Sequence, residues 1–270
     1  MEPKKGYVDT DHGQIHYRYG GKANQQELTI VLFHQAPSSS RMFDEAIALL
    51  QDEFHVVAPD LPGFGHSFAP ESVESVEYYA ETLIDALDTL DVETFHAVGH
   101  HTGASVVAHI ATEHPERVDT TTFVGPPYLT ESGRAERLDK LESGAYDFPP
   151  LDSEGEYLLH HWEKYDAEGG DLERQHRRAL DSILARGNYP SQAYRVVFEQ
   201  DFPGRFGQID APRMIMAARD DALWDAFQRA QSDHPSVRAV ELSGGNFEPS
   251  LDAEQFVDSL VEFLSDHGYT

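Results

Sequence analysis

Residues 95–104 read FHAVGHHTGA, and this stretch decides the fold. Phe95 to Val98 is a short apolar run of the kind a buried strand carries. Gly99 and Gly103 follow at once, small residues where a strand turning sharply into a helix crowds its own backbone. Between them His101 is pushed outward at the top of the sheet. It stands at the N-terminus of a helix that runs to about Glu113, where the dipole and free N–H groups favour negative charge.

The same strand–helix alternation extends on both sides. Upstream, residues 6–19 alternate as a hairpin, and Leu28–Phe33 (LTIVLF) and Phe54–Ala58 are continuous apolar strands. Helical spacing appears at 40–52 (Met42, Phe43, Ala46, Leu49, Leu50) and at 74–90 (Leu83, Ile84, Leu87, Leu90). Downstream, Thr120–Val124 is a fourth strand. Short apolar strands alternating with helices predict an α/β chain with a mostly parallel sheet covered on both faces. The alternation breaks over 127–208, which carries helical segments at about 130–142, 153–165, 172–186 and 190–201 and no good strand. It resumes with Arg213–Ala217, Ala239–Leu242 and an amphipathic helix over 252–265. The expected organisation is a core of 1–126 and 209–270 with a helical cap, 127–208, inserted in it.

GHHTG has the G-x-S-x-G spacing of a nucleophile elbow, with His101 in place of serine. Other segments agree in order. VLFHQAPSSS (31–40) resembles a strand and H-G-x-P oxyanion loop, and VVAPDLPGFGHS (56–67) the segment after the next strand. PRMIMAARDD (212–221) resembles the strand and loop that deliver an acid, and SGGNFEPSLDAEQFVDSLVEFL (243–264) the last strand, histidine loop and final helix. Together they resemble the α/β-hydrolase fold superfamily in its capped branch, over about 7–126 and 205–266. The resemblance implies a nucleophile–acid–base order read here as His101, Asp221 and Asn246, with Asp220 as the competing acid one residue away. It implies oxyanion donors at the backbone N–H groups of Ala36 and Thr102. Gln35 departs from the family's glycine after His34. HQxP with GHHTG resembles a subset of hydrolase-like sequences whose function is unassigned.

Asn246 cannot accept a proton at neutral pH, so the serine-type acyl-enzyme route is lost. Histidine titrates near neutrality, so His101 is read as a general base that activates water or removes a substrate proton. A nucleophilic His101 is a weaker alternative, because nothing obvious activates it. The expected activity is hydrolysis of a small ester, lactone or similarly activated carbonyl. The alternatives are a cofactor-independent lyase, isomerase or oxygenase, and an inactive ligand-binding protein on the same scaffold. His34, Gln35, His100, Trp162 and Trp224 are candidate pocket residues. Asp60 and His66 belong to the turn motif and read as scaffold. The spacing of His34, His100 and His101 matches no zinc motif, and there is no dinucleotide fingerprint or P-loop, so no metal or organic cofactor is expected.

Composition sets the outer limits. With 270 residues and 40% hydrophobic content the chain can bury a full core. Forty-eight acidic residues against 20 basic ones give a formal net charge of -28, which argues against nucleic acid and anionic membranes as partners. Cysteine is absent, so disulfides and thiolate chemistry are excluded. The N-terminus lacks a signal-like apolar stretch, and the default expectation is cytoplasmic. Monomer and homodimer are not distinguished. The acidic residues are dispersed and only five lysines occur, the pattern of a surface suited to high salt. The melting temperature is therefore expected to rise with added KCl; a flat or falling profile would refute that reading.

Overall fold

A computed structural model describes residues 1–22, 28–147, 149–150, 152–166, 171–185 and 189–269. A hairpin of β1 (Lys4–Thr10) and β2 (Gly13–Gly20) leads into β3 (Thr29–Phe33), α1 (Asp44–Leu50), β4 (His55–Pro59) and α2 (Val76–Thr89). Then come β5 (Phe95–His100), α3 (Thr102–Glu113) and β6 (Val118–Val124). Five helices follow: α4 (Glu131–Glu142), α5 (Glu156–Asp166), α6 (Leu172–Leu184), α7 (Tyr189–Glu199) and α8 (Phe202–Gln208). The chain closes with β7 (Arg213–Ala218), α9 (Trp224–Asp233), β8 (Arg238–Leu242), α10 (Glu248–Leu251) and α11 (Ala253–Asp266). Residue 186, where one expected helix was to end, lies outside the described residues. The helix expected over 40–52 divides instead into a 3₁₀ turn, Ser40–Phe43, and α1. Its first backbone N–H, that of Ser40, is held by the Asp60 carboxylate at 2.7 Å.

The eight strands form one sheet in the order β1-β2-β4-β3-β5-β6-β7-β8. The β1–β2 and β2–β4 pairs are antiparallel, and every pair from β4 through β3 to β8 is parallel. Period-2 alternation explains why the strands read as continuous apolar runs. In β3, Val31 and Phe33 enter one core layer while Ile30 and Leu32 enter the other. β7 divides in the same way, with Ile215 and Ala217 on one side and Met214 and Met216 on the other. One layer collects Tyr79, Leu83, Val107, Phe202 and Phe206 from α2, α3 and α8. The opposite layer collects Ile47 and Leu50 of α1 with Phe256, Leu260 and Phe263 of α11. Both faces of the sheet are therefore covered by apolar layers.

Asp60, just beyond β4, ties the antiparallel and parallel halves together. Its carboxylate is fully buried and accepts the N–H groups of Ser40 (2.7 Å) and His66 (2.9 Å), with His16 Nδ1 of β2 at 2.7 Å. Burial opposes ionisation, but the His16 bond, the nearby imidazoles of His34 and His16 and the His66 N–H outweigh it and bring the carboxyl down to about 2. Removing one partner of such a buried cluster costs about 3–5 kcal/mol, and Asp60→Ala is expected to lose stability on that scale. The folded pKa lies below the unfolded 3.8, so this contribution is complete above pH 4 and is lost as pH falls toward 2. Urea unfolding should show a wide gap between wild type and Asp60→Ala at pH 7 and a narrower one at pH 3. An equal gap at both would contradict this account.

Candidate active site

The turn between β5 and α3 has the strained backbone its glycines foreshadow. His101 adopts φ 47 and ψ -102, a conformation uncommon and costly for a residue with a Cβ. A Cβ on Gly103 would stand 2.0 Å from the Phe33 carbonyl oxygen, and one on Gly99 would stand 2.3 Å from that of Gly103. The backbone N–H of His101 donates to the Val124 carbonyl at 3.0 Å, which fixes the turn against β6.

That strain aims the imidazole across the end of the sheet at the loop after β7. His101 Nε2 lies 2.8 Å from Asp221 Oδ2, a contact spanning 120 residues of sequence. The Asp221 carboxylate is fully buried, whereas 16% of the His101 side chain remains exposed. Its other oxygen accepts the Leu223 N–H at 2.5 Å. Burial by itself opposes ionisation of Asp221. The charge and hydrogen bond of His101, a bond from Glu248 and the Leu223 N–H overcome it and hold the carboxyl well below the usual range. An ionised Asp221 fixes the tautomer: Nε2–H donates to it, and in the neutral ring Nδ1 keeps the lone pair. Nδ1 has no hydrogen-bond partner among the described residues. Asp220, the competing acid in the sequence, is exposed.

Two residues of this arrangement carried no sequence signal as site residues. Gly125, just past β6, has φ 53, and a Cβ there would stand 2.2 Å from His101 Cδ2, 2.3 Å from Nε2 and 2.7 Å from Asp221 Oδ2. Its missing side chain is the space the pair occupies. Glu248, at the start of α10, is fully buried and accepts the Ala218 N–H at 3.0 Å. Burial, foremost, and the neighbouring Asp221 carboxylate raise its carboxyl well above the ordinary value. His100, also fully buried, lies behind its neighbour with ring centroids 4.3 Å apart. His100 Nε2 approaches Glu248 Oε2 at 3.1 Å without the direction of a hydrogen bond. Burial, foremost, and the adjacent His101 keep the His100 ring neutral. His100, His101 and Asp221 bring ligand atoms within 4.8 Å of one another, a spacing a metal ion tolerates.

A cavity of about 200 Å³ opens over His101. From the sheet side it is lined by Gln35, Ala36, Thr102 and Asn246, and from α4, α5 and α7 by Arg137, Lys164, Tyr194 and Phe198. Four expected pocket residues lie elsewhere. His34 is fully buried, its Nδ1 donating to the Gln35 carbonyl at 2.6 Å and its Nε2 accepting the Leu61 N–H at 2.9 Å, so it braces the loop. His100 is behind His101. Trp162 packs on His176, and Trp224 stacks on Phe227. Of the two expected oxyanion donors, the Ala36 N–H donates to Thr102 Oγ1 at 3.2 Å. Asn246 Oδ1 accepts the Ala222 N–H at 3.0 Å, and its backbone carbonyl accepts Gln35 Nε2 at 2.8 Å, so Asn246 binds the β3, β7 and β8 loops to one another.

Comparison with known proteins agrees with this architecture. A family model of the alpha/beta hydrolase fold matches residues 29–253. An uncharacterized hydrolase of Saccharomyces cerevisiae is 38% identical over 109 residues, covering 40% of this chain and only 37% of the yeast protein. The carboxylesterase YbfK of Bacillus subtilis is 29% identical over 97% of this chain and 87% of its own length. A hydrolase from Pseudomonas aeruginosa superposes with a TM-score of 0.80 over 97% of this chain and 98% of its own, at 18% identity.

Gly125→Ala is expected to push His101 and Asp221 apart while the sheet stays folded. The bridging proton should give a far-downfield ¹H NMR resonance in wild type, absent in His101→Ala and displaced or lost in Gly125→Ala. An unchanged resonance in Gly125→Ala would contradict the packing described.

Proposed function

The chain belongs to the alpha/beta hydrolase fold family, and we propose that it hydrolyses a small ester, lactone or similarly activated carbonyl compound with His101 as general base. The observation that carries this reading is the 2.8 Å contact between His101 Nε2 and Asp221 Oδ2 beneath the cavity. It orients the ring and leaves Nδ1 as the acceptor, while Glu248 steadies Asp221 as an anion. No serine or cysteine stands at the elbow, and Asn246 cannot take a proton, so water is the nucleophile.

In the first step Nδ1 takes a proton from water as its oxygen bonds to the carbonyl carbon, and the C=O electron pair moves to oxygen. The Thr102 N–H, at the first turn of α3, and the Ala36 N–H receive that oxyanion, which displaces Thr102 Oγ1 from Ala36. In the second step the C–O bond to the leaving group breaks, and the imidazolium returns the proton to the departing oxygen. Asp221 stabilises the imidazolium between the two steps. The five helices α4–α8 serve as the cap over the site, and the substrate is a small molecule.

The test is turnover of short esters, thioesters, lactones and activated amides by wild type and His101→Ala, with products read by mass spectrometry in ¹⁸O-water. Wild type should place one ¹⁸O in the acid product. His101→Ala should lose at least about 100-fold, the scale of general-base catalysis. Full activity in His101→Ala would overturn the assignment. Substrate loss without ¹⁸O would favour a lyase or isomerase, and dioxygen uptake an oxygenase. Ligand binding with no turnover by either protein would favour a binding module.

A further inference from the structure

We propose that the molecule taken by this cavity carries a carboxylate, and that Arg137, one of the two cations that line it, is the residue that recognises it. The inference rests on the reading of the cavity as the substrate site. Its starting point is a reversal of charge. The chain has 48 acidic and 20 basic residues, yet the described residues lining the cavity include Arg137 and Lys164 and no Asp or Glu.

The rest of the α4 surface shows how unusual Arg137 is. Arg134, one turn before it, is 2.9 Å from Asp201, and Lys140, one turn after it, is 2.7 Å from Glu136. Arg137 makes no ion pair among the described residues; its guanidinium lies 5.7 Å from the centre of the Phe198 ring, on the cavity wall. Lys164 of α5 extends over the Tyr165 ring at 5.4 Å. A guanidinium presents a planar fork of donors matched to a carboxylate, and beside aromatic walls it is poorly screened. In a protein of net charge -28, a guanidinium that makes no ion pair among the described residues and lines a largely apolar recess is where an organic anion gains most over bulk solvent.

The cavity's lining then divides the work between helices and sheet. Helices α4 and α5 supply the cations, whereas His101, Thr102 and Asn246 come from the ends of the sheet. Tyr146, Tyr194, Phe198, Leu223 and Phe247 form an apolar wall. The matching substrate class is a small apolar or aromatic acid whose second function is the hydrolysable carbonyl.

Equilibrium binding tests this without requiring turnover. Titration calorimetry at constant ionic strength would compare 3-phenylpropanoate with its neutral amide in wild type, Arg137→Gln, Arg137→Lys and His101→Ala. The carboxylate is expected to bind at least tenfold tighter than the amide in wild type and in His101→Ala. Arg137→Gln should erase that preference without weakening the amide, and Arg137→Lys should restore part of it. Equal binding of acid and amide by wild type would overturn the proposal, as would an unchanged preference in Arg137→Gln. An intact preference with no hydrolysis of half-esters of dicarboxylic acids would leave the recognition site standing and remove the hydrolase reading instead.

Discussion

The hydrogen bond between His101 and Asp221 is the constraint around which the upper edge of the sheet is organised. It joins the end of β5 to the loop after β7, across β6, which lies between them in the sheet. Such a bridge has to pass over the end of the intervening strand, and this is where Gly125 stands, with the pair filling the space of a side chain. His101 holds a costly backbone conformation to reach across, and strain of this kind persists only where the surroundings over-determine it. Gly99, Gly103, the Phe33 carbonyl and the Val124 carbonyl supply that over-determination.

Burial makes the electrostatics of the bridge demanding. Asp221 sits in a low-dielectric setting with a second carboxyl group, Glu248, against it. Two adjacent carboxylates repel, so the pair is split, with the Asp221 carboxyl held low and that of Glu248 pushed up. Asp221 is the anion because it has the imidazole and the Leu223 N–H, while Glu248 has a single amide from Ala218 and the neutral His100. Negative charge is thereby concentrated on the oxygen that faces His101. A proton abstracted by His101 would meet a partner already in place, with no rearrangement at the moment of reaction.

On a larger scale, charge is distributed by depth. The surface is dominated by carboxylates, many paired with arginines in exposed ion pairs that contribute little each. Among the described residues the cavity reverses the sign, with cations from the helices, apolar side chains and the imidazole all on its wall. The family relationship accounts for the scaffold. The cavity draws its cations from helices that lie between β6 and β7 and its imidazole from the end of β5.

What the sequence alone determined is the scaffold and the elbow. Short apolar runs at Leu28–Phe33 and Arg213–Ala217, and glycines at the crowded positions 99 and 103, act over a few residues, so they are legible without a fold. Asp221 and Asn246 were legible as positions in ordered motifs, but what each side chain binds was not. Only the tertiary structure decided that Asp221 meets His101, that Asn246 binds the Ala222 N–H, and that Gln35 lines the cavity while His34, His100, Trp162 and Trp224 do not. It alone brought forward Gly125 and Glu248, and Arg137 from a helix whose surface otherwise reads as solvated. The reason is range. Local sterics and periodicity are written in neighbouring residues, whereas burial, partner choice and the sign of a cavity arise between segments as far apart as the 120 residues separating His101 from Asp221.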